Sequence, residues 1–275
     1  MDVPSTWFTI ILPAAVFGGA VVGWGIFHPR SRIMGPLIHR GWPSDHEGDG
    51  GDDELFRGEF RGRVALTFDD GPTPDSTPAV LDALKEVNAL ATFFVVGRNV
   101  ERHPDLLRRM HDEGHLIANH TYDHDRQGLW GLNAFWRRQI DRADDAVLDI
   151  IGRRPAMFRP PMGLKHWHLM QEARYGGHAV VTWSRKARDG GAKPPKKTKL
   201  IKRLAKARDG DILLLHDGHE PDRPASRRIT AEAVVPLVNQ LRDRGLQIVR
   251  LDELLDLPGY QERTGETDHG SQAYF

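Results

Sequence analysis

Residues 64–96 read VALTFDDGPTPDSTPAVLDALKEVNALATFFVV, and three segments separate within them. Val64–Phe68 is a short apolar run that ends in turn residues, a helix is expected near Pro78–Val87, and Ala91–Val96 is a second apolar run. Strand, helix and strand in so little chain form a unit whose two strands lie parallel. The alternation continues outward. Asp105–Glu113 predicts a helix and His115–Asn119 a third strand. Asn133–Ile151 has helical spacing, with Leu132, Phe135, Ile140, Ala143 and Val147 on one side. Short strands are expected at Met157–Arg159, Ala179–Trp183 and Ile212–Leu215, a helix over Ala231–Asp243 and a last strand at Gln247–Leu251. The fold class is therefore α/β with a mainly parallel sheet, open or closed into a barrel. In both forms ligands bind at the C-terminal ends of the strands.

Composition narrows the function. The 275 residues carry 38 Lys and Arg against 38 Asp and Glu, so the formal net charge is zero, which argues against nucleic acid as a partner. There is no Cys, which excludes a disulfide framework, a thiol nucleophile and a thiolate metal site. With 14 His in the chain, a transition-metal site must be built from imidazole and carboxylate.

Thr6 to Phe27 is 22 residues without a charge. At about 1.5 Å per residue such a helix spans the roughly 30 Å hydrocarbon core, and Trp7 and Trp24 fall near its two ends. A cleaved signal peptide fits less well, because the preceding residues contain no Lys or Arg and no A-x-A site follows. Residues 1–27 are thus expected to be a single-pass membrane anchor, 28–60 a flexible Gly- and acid-rich linker, 61–257 the catalytic domain and 258–275 a polar tail. Lys/Arg-rich flanks stay in the cytoplasm. With no basic residue in 1–5 and Arg30, Arg32 and Arg40 after the run, the catalytic domain is expected on the cytoplasmic side.

Four constellations carry chemistry, each at a strand end. Thr67-Phe68-Asp69-Asp70-Gly71-Pro72 closes the first strand with paired carboxylates, which suit a metal ligand beside a general base. Asn119-His120-Thr121-Tyr122-Asp123-His124 follows the third, with two His at i and i+4, the spacing that puts both imidazoles on one helical face. Phe158-Arg159-Pro160-Pro161-Met162-Gly163 offers an Arg beside a rigid turn. Leu213-Leu214-Leu215-His216-Asp217 ends an apolar strand in His, a candidate general acid. Two other His pairs, His111 with His115 and His166 with His168, are read as non-ligands, the first as a surface and a turn His. From Arg185 to Arg208 eleven Lys or Arg face one acid, read as a solvated helix face plus a loop.

In this order, TFDDGP, HTYDH, RPPMG and LLLHD resemble the NodB-type polysaccharide deacetylases, carbohydrate esterase family four, over Arg61 to Leu257. The resemblance implies a distorted (β/α) barrel of about seven strands. It also implies a metal-dependent N-deacetylase acting on linear amides, a hydrolase whose partner is an N-acetylated glycan. Asp70, His120 and His124 would hold one divalent metal, zinc first, with cobalt, nickel or manganese as alternatives. Asp69 would be the base, Arg159 its orienting partner, His216 the acid and Asp189 the partner of that acid. The Met162 backbone N–H would hold the oxyanion, and Leu214 and Trp183 would line the acetyl pocket. The chain departs from the family's D-x-x-D-W pattern, with Lys186 at the usual first Asp and Gly190 at the usual Trp. An O-acetyl esterase and a non-catalytic glycan-binding module are the competing readings.

Overall fold

The computed structural model describes residues 28, 30–41, 61–125 and 131–262. The expected anchor and most of the expected linker lie outside the described residues. Among the described residues no helix is long and apolar enough to cross a membrane.

Eight strands form one parallel sheet among the described residues: β1 (Gly62–Asp69), β2 (Thr92–Val95), β3 (Leu116–Asn119), β4 (Met157–Phe158), β5 (Ala179–Val180), β6 (Arg185–Lys186), β7 (Ile212–His216) and β8 (Leu246–Val249). Hydrogen bonding runs β5-β4-β3-β2-β1-β7-β6, and β8 also pairs with β1. Ala65 faces Ile212 of β7 and Val249 of β8 at once, so these two strands occupy opposite edges of β1. β8 thus takes the N-terminal half of the edge on which β2 takes the C-terminal half. β5 and β6 stand at the two ends of the path but belong to one stretch of chain, Ala179 to Lys186, which pairs with β4 at its start and β7 at its end. That stretch closes the sheet, and the result is a distorted barrel of seven staves.

Both faces of β1 to β4, β7 and β8 are almost wholly buried. Side chains alternate across a strand, so Val64, Leu66 and Phe68 leave the barrel while Ala65, Thr67 and Asp69 enter it. Outside, Phe68 stacks on Phe93 at 5.1 Å, beneath helices α1 (Thr77–Glu86) and α7 (Arg228–Arg242). Each such Leu or Phe contributes about 1.5–3 kcal/mol by leaving water. Inside, Ala65, Phe94, Ala118, Ile212 and Leu214 pack around Trp183. Further helices are α2 (Gly97–Arg102), α3 (Pro104–Asp112), α4 (Asn133–Ile151), α5 (Trp167–Tyr175), α6 (Lys197–Leu204) and α8 (Leu251–Leu255).

Three expectations need correction. Residues 30–41, read as part of a spacer, pack on the barrel: Leu37 is buried and the Ile38 N–H donates to Val180 O at 2.8 Å. Apolar Leu37 and Ile38 find a cleft beside β5 and take the hydrogen bonds of its open edge, which a solvated linker would leave to water. The tail likewise begins packed, with the Tyr260 hydroxyl accepting the Ile117 N–H at 3.2 Å. His115 is a core residue, not a turn His at the surface: its Nδ1 accepts the Ala91 N–H at 3.2 Å, and burial pushes its pKa down to about 4.

Candidate active site

The C-terminal ends of β1, β3 and β7 meet at one mouth of the barrel. Asp69 and His216 are register partners as the last residues of β1 and β7, and His120 directly follows β3. All three lie at inward-facing positions of their strands, so strand alternation alone aims them at a common point.

Asp70, His120 and His124 offer ligand atoms that all lie within 4.8 Å of one another, and all three residues are buried. Asp70 Oδ1 stands 3.5 Å from His120 Nε2 and 3.4 Å from His124 Nε2. The two imidazoles do not share a helix face, as their spacing predicts. Residues 120–125 instead form an irregular loop in which Thr121 and His124 have positive φ, 68° and 53°. Thr121 is held there by its N–H to Asn119 Oδ1 at 2.8 Å, and the His124 N–H donates to Thr121 Oγ1 at 3.2 Å. Left-handed residues thus do what a helical turn would have done. His120 Nδ1 donates to Arg159 O at 2.8 Å, which leaves the Nε2 lone pair facing Asp70. Behind the other imidazole, Glu220 Oε1 lies 3.4 Å from His124 Nδ1.

The cluster fits a divalent cation. Asp70 Oδ1 is buried and has no hydrogen-bond donor. Burial works against the Asp70 carboxylate, yet His124, His120 and His216 hold its carboxyl far below the usual range. Burial likewise works against a charged His124, and Asp70 and Glu220 raise its pKa all the same. A pocket whose field favours a proton on imidazole nitrogen also favours a cation.

Asp69 lies beside this cluster, its Oδ2 3.7 Å from His120 Nε2. Arg159 holds its other oxygen at 2.6 Å and donates also to Thr67 Oγ1, Val181 O and Thr182 O. The guanidinium lies 3.8 Å over the Phe94 ring, with Trp183 beyond it. Across the mouth, Asp189 Oδ1 is 2.9 Å from His216 Nδ1, while its Oδ2 accepts the His216 N–H and the Thr230 hydroxyl. Burial pulls the His216 pKa down, but Asp189, together with Asp70 and Asp69, outweighs it and the value rises to about 9. The Asp189 carboxyl is raised by burial and lowered by His216 and Thr230, with a net shift downward. Leu214 sits one inward step below His216. Met162 stands in the turn Pro161–Gly163 with φ of 56°, beside Gly163, which rests on the Trp183 ring. Seven non-glycine residues have positive φ among the described residues, and Asp70, Thr121, His124, Met162 and Arg188 are five of them. Such backbone strain gathers at functional sites.

Residues 59–181 match the family model for polysaccharide deacetylase. Over 200 residues the chain is 38% identical to the chitooligosaccharide deacetylase of Sinorhizobium fredii, covering 69% of this chain and 90% of that one. It is 35% identical over 206 residues to a peptidoglycan-N-acetylglucosamine deacetylase of Listeria monocytogenes, covering 73% of this chain but 40% of the relative. The crystal structure of the peptidoglycan N-acetylglucosamine deacetylase Bc1960 superposes with a TM-score of 0.66 at 30% identity, over 74% of this chain and 93% of that one. The chain belongs to the polysaccharide deacetylase family.

Against the sequence pattern of the family, the structure adds residues that no motif flagged. Arg227 is buried and donates to four backbone carbonyls, Gly218, Asp189, Gly190 and Gly191, at 2.9–3.0 Å. It therefore clamps the loop that carries Asp189. Asn99 ties the loop after β1 to that after β7, donating to Asp70 O and His219 O. The signal for both was a polar residue inside an otherwise ordinary segment, which cannot be told from a surface residue without the fold. Gly190, at the usual Trp position of the family, lies against the imidazole of His216: a Cβ there would be 2.5 Å from His216 Nε2.

Proposed function

We propose that this member of the family is a metal-dependent hydrolase that removes the acetyl group from an N-acetylated sugar of a poly-, oligo- or lipid-linked saccharide. The observation that carries the proposal is the convergence of Asp70, His120 and His124 beside Asp69, with His216 across the same mouth. The two relatives named above are a chitooligosaccharide deacetylase and a peptidoglycan-N-acetylglucosamine deacetylase, which supports an N-acetylglucosamine unit as substrate.

Asp70, His120 and His124 would hold one divalent ion, and this donor set suits zinc. When bound, the ion supplies Lewis-acid activation of water and of the acetyl carbonyl. Asp69 takes the proton of the attacking water; Arg159 aims its carboxylate through the hydrogen bond at 2.6 Å. The Met162 N–H donates to the oxygen on which negative charge develops. His216, held protonated by Asp189, gives its proton to the leaving nitrogen as the C–N bond breaks. Acetate and a free amino sugar leave. Leu214 and Trp183 bound the acetyl pocket.

We further propose that residues 6–27 anchor the chain in a membrane with the catalytic domain on the cytoplasmic side, a reading supported by Arg30, Arg32 and Arg40 after the apolar run. Protease added to intact spheroplasts should then leave residues 61–257 protected. The activity is tested by acetate release from the zinc-loaded full chain. Release from N-acetylglucosamine oligomers or peptidoglycan is the expected result. Release from acetylated xylan alone would make it an O-acetyl esterase, and release from none would leave only glycan binding.

A further inference from the structure

The first described residue, His28, directly follows the apolar run, and it is not on a tether. Lys165 Nζ donates to His28 O at 2.7 Å and to Gly163 O at 3.3 Å. Lys165 is wholly buried, so this double contact is part of the packed domain. Gly163 neighbours Met162, the residue whose N–H faces the reacting carbonyl in the proposed reaction. His28, the first described residue after that run, therefore stands beside the turn at the rim of the catalytic mouth.

From there the chain follows helix α5 along its length. His28 meets Lys165 just before the helix, and Gly35 packs directly on the guanidinium of Arg174, next to the last helical residue. Leu37 then enters a cluster with Leu169, Met170 and Ala173 of the same helix. This seam gathers most of the exposed large apolar side chains. Six are exposed among the described residues, and Ile33, Trp167, Tyr175 and Met162 lie on the segment, the helix and the adjoining turn. A fifth, Leu132, precedes helix α4, whose Asn133 bonds to Gln171 and Glu172 of α5; the sixth, Leu90, lies elsewhere. Trp167 is 55% and Tyr175 74% exposed, a cost in water that an interface between water and lipid removes. Arg30 and Arg32, both exposed, stand on the same segment, where they suit anionic headgroups.

We propose that the surface made by residues 30–35, helix α5 and the Pro161–Gly163 turn rests on the anionic bilayer that residues 6–27 enter, so that the catalytic mouth opens onto a membrane-borne saccharide. This rests on the anchor and the deacetylase activity proposed above, and narrows the substrate to one presented at the lipid surface.

The chain has no Cys, so single cysteines report one position each. The full chain carrying Ile33→Cys, Trp167→Cys, Tyr175→Cys or Leu90→Cys is labelled with an environment-sensitive fluorophore and reconstituted into vesicles of phosphatidylethanolamine and phosphatidylglycerol. A nitroxide on the lipid headgroup should quench the labels at 33, 167 and 175 and spare that at 90. Equal quenching at all four, or at none, overturns the proposed surface. Release of the chain from vesicles by alkaline carbonate refutes the anchor, and the proposal with it. A second arm uses the double variant Arg30→Glu/Arg32→Glu, which touches no catalytic group. Its turnover of a vesicle-borne N-acetylglucosaminyl lipid should fall roughly tenfold or more, with its rate on soluble chitooligosaccharide unchanged. An equal fall on both substrates sinks the surface reading. A wild-type chain inactive on both contradicts the deacetylase reading, while the quenching pattern still judges the surface.

Discussion

Arg159 holds Asp69 at 2.6 Å between Nη1 and Oδ1, with Arg159 wholly buried and Asp69 nearly so. The pair is buried, so removing one partner leaves an uncompensated charge in a dry place. Arg159→Met should destabilise the fold by about 3–5 kcal/mol, read as a shift of the urea midpoint, and should abolish turnover. Arg159→Lys keeps the charge but not the fork that spans Asp69, Thr67 and Thr182. It should recover part of the stability and little of kcat. An Arg159→Met protein with wild-type kcat would remove Arg159 from any role in aiming the base.

Metal content and turnover should separate by residue. Exhaustive chelation should abolish activity, with zinc or cobalt restoring it. Asp69→Asn should lose turnover and retain bound metal, whereas His120→Ala and Asp70→Ala should lose both, as measured by elemental analysis of the dialysed protein. Near-normal turnover in Asp69→Asn would mean that another group takes the proton.

The pH profile of kcat/KM should be bell-shaped, because Asp69 must be ionised and His216 protonated. Opposite charge at Asp189, with smaller contributions from Asp70 and Asp69, lifts the His216 pKa to about 9 against burial. Removing that charge lowers the pKa, so Asp189→Asn should move the alkaline limb to lower pH. An alkaline limb that stays in place in the variant would assign it to a different group.

Arg227 acts through backbone rather than through substrate. Its guanidinium ties four backbone carbonyls together, and without those hydrogen bonds the loop that presents Asp189 loosens. Arg227→Met should therefore lower kcat and shift the alkaline limb in the same direction as Asp189→Asn, with metal content unchanged. A variant that lowers kcat with an unmoved limb would show that the clamp serves stability alone.

Gly190 leaves no room for a side chain beside His216. Gly190→Ala should push the imidazole off its line and reduce kcat by about 10²-fold, the usual cost of a misplacement near 1 Å. Thermal unfolding should stay cooperative. A fully active Gly190→Ala would show that the loop yields instead.

From the apolar runs alone one can read where strands begin and end, and hence that Asp69, His120 and His216 stand at C-terminal strand ends. Asn133–Ile151 is a helix at the residues its spacing predicts. Runs such as VALTF and LLL carry no alternation, because helices cover one face and the barrel interior the other. Which residues face inward was therefore decided by tertiary packing. So was the closure of the barrel through Ala179–Lys186, since β5 and β6 are two residues each, too short to leave a periodic signal. Local spacing misread how His120 and His124 converge, since a side-chain hydrogen bond from Asn119 steers the loop into left-handed backbone. The residues proposed for the chemistry were legible in the sequence, because metal binding and proton transfer demand particular side chains wherever they stand. The three-dimensional structure alone placed the supporting groups Arg227, Asn99 and Glu220, whose role comes from the distant backbone or side chain they meet.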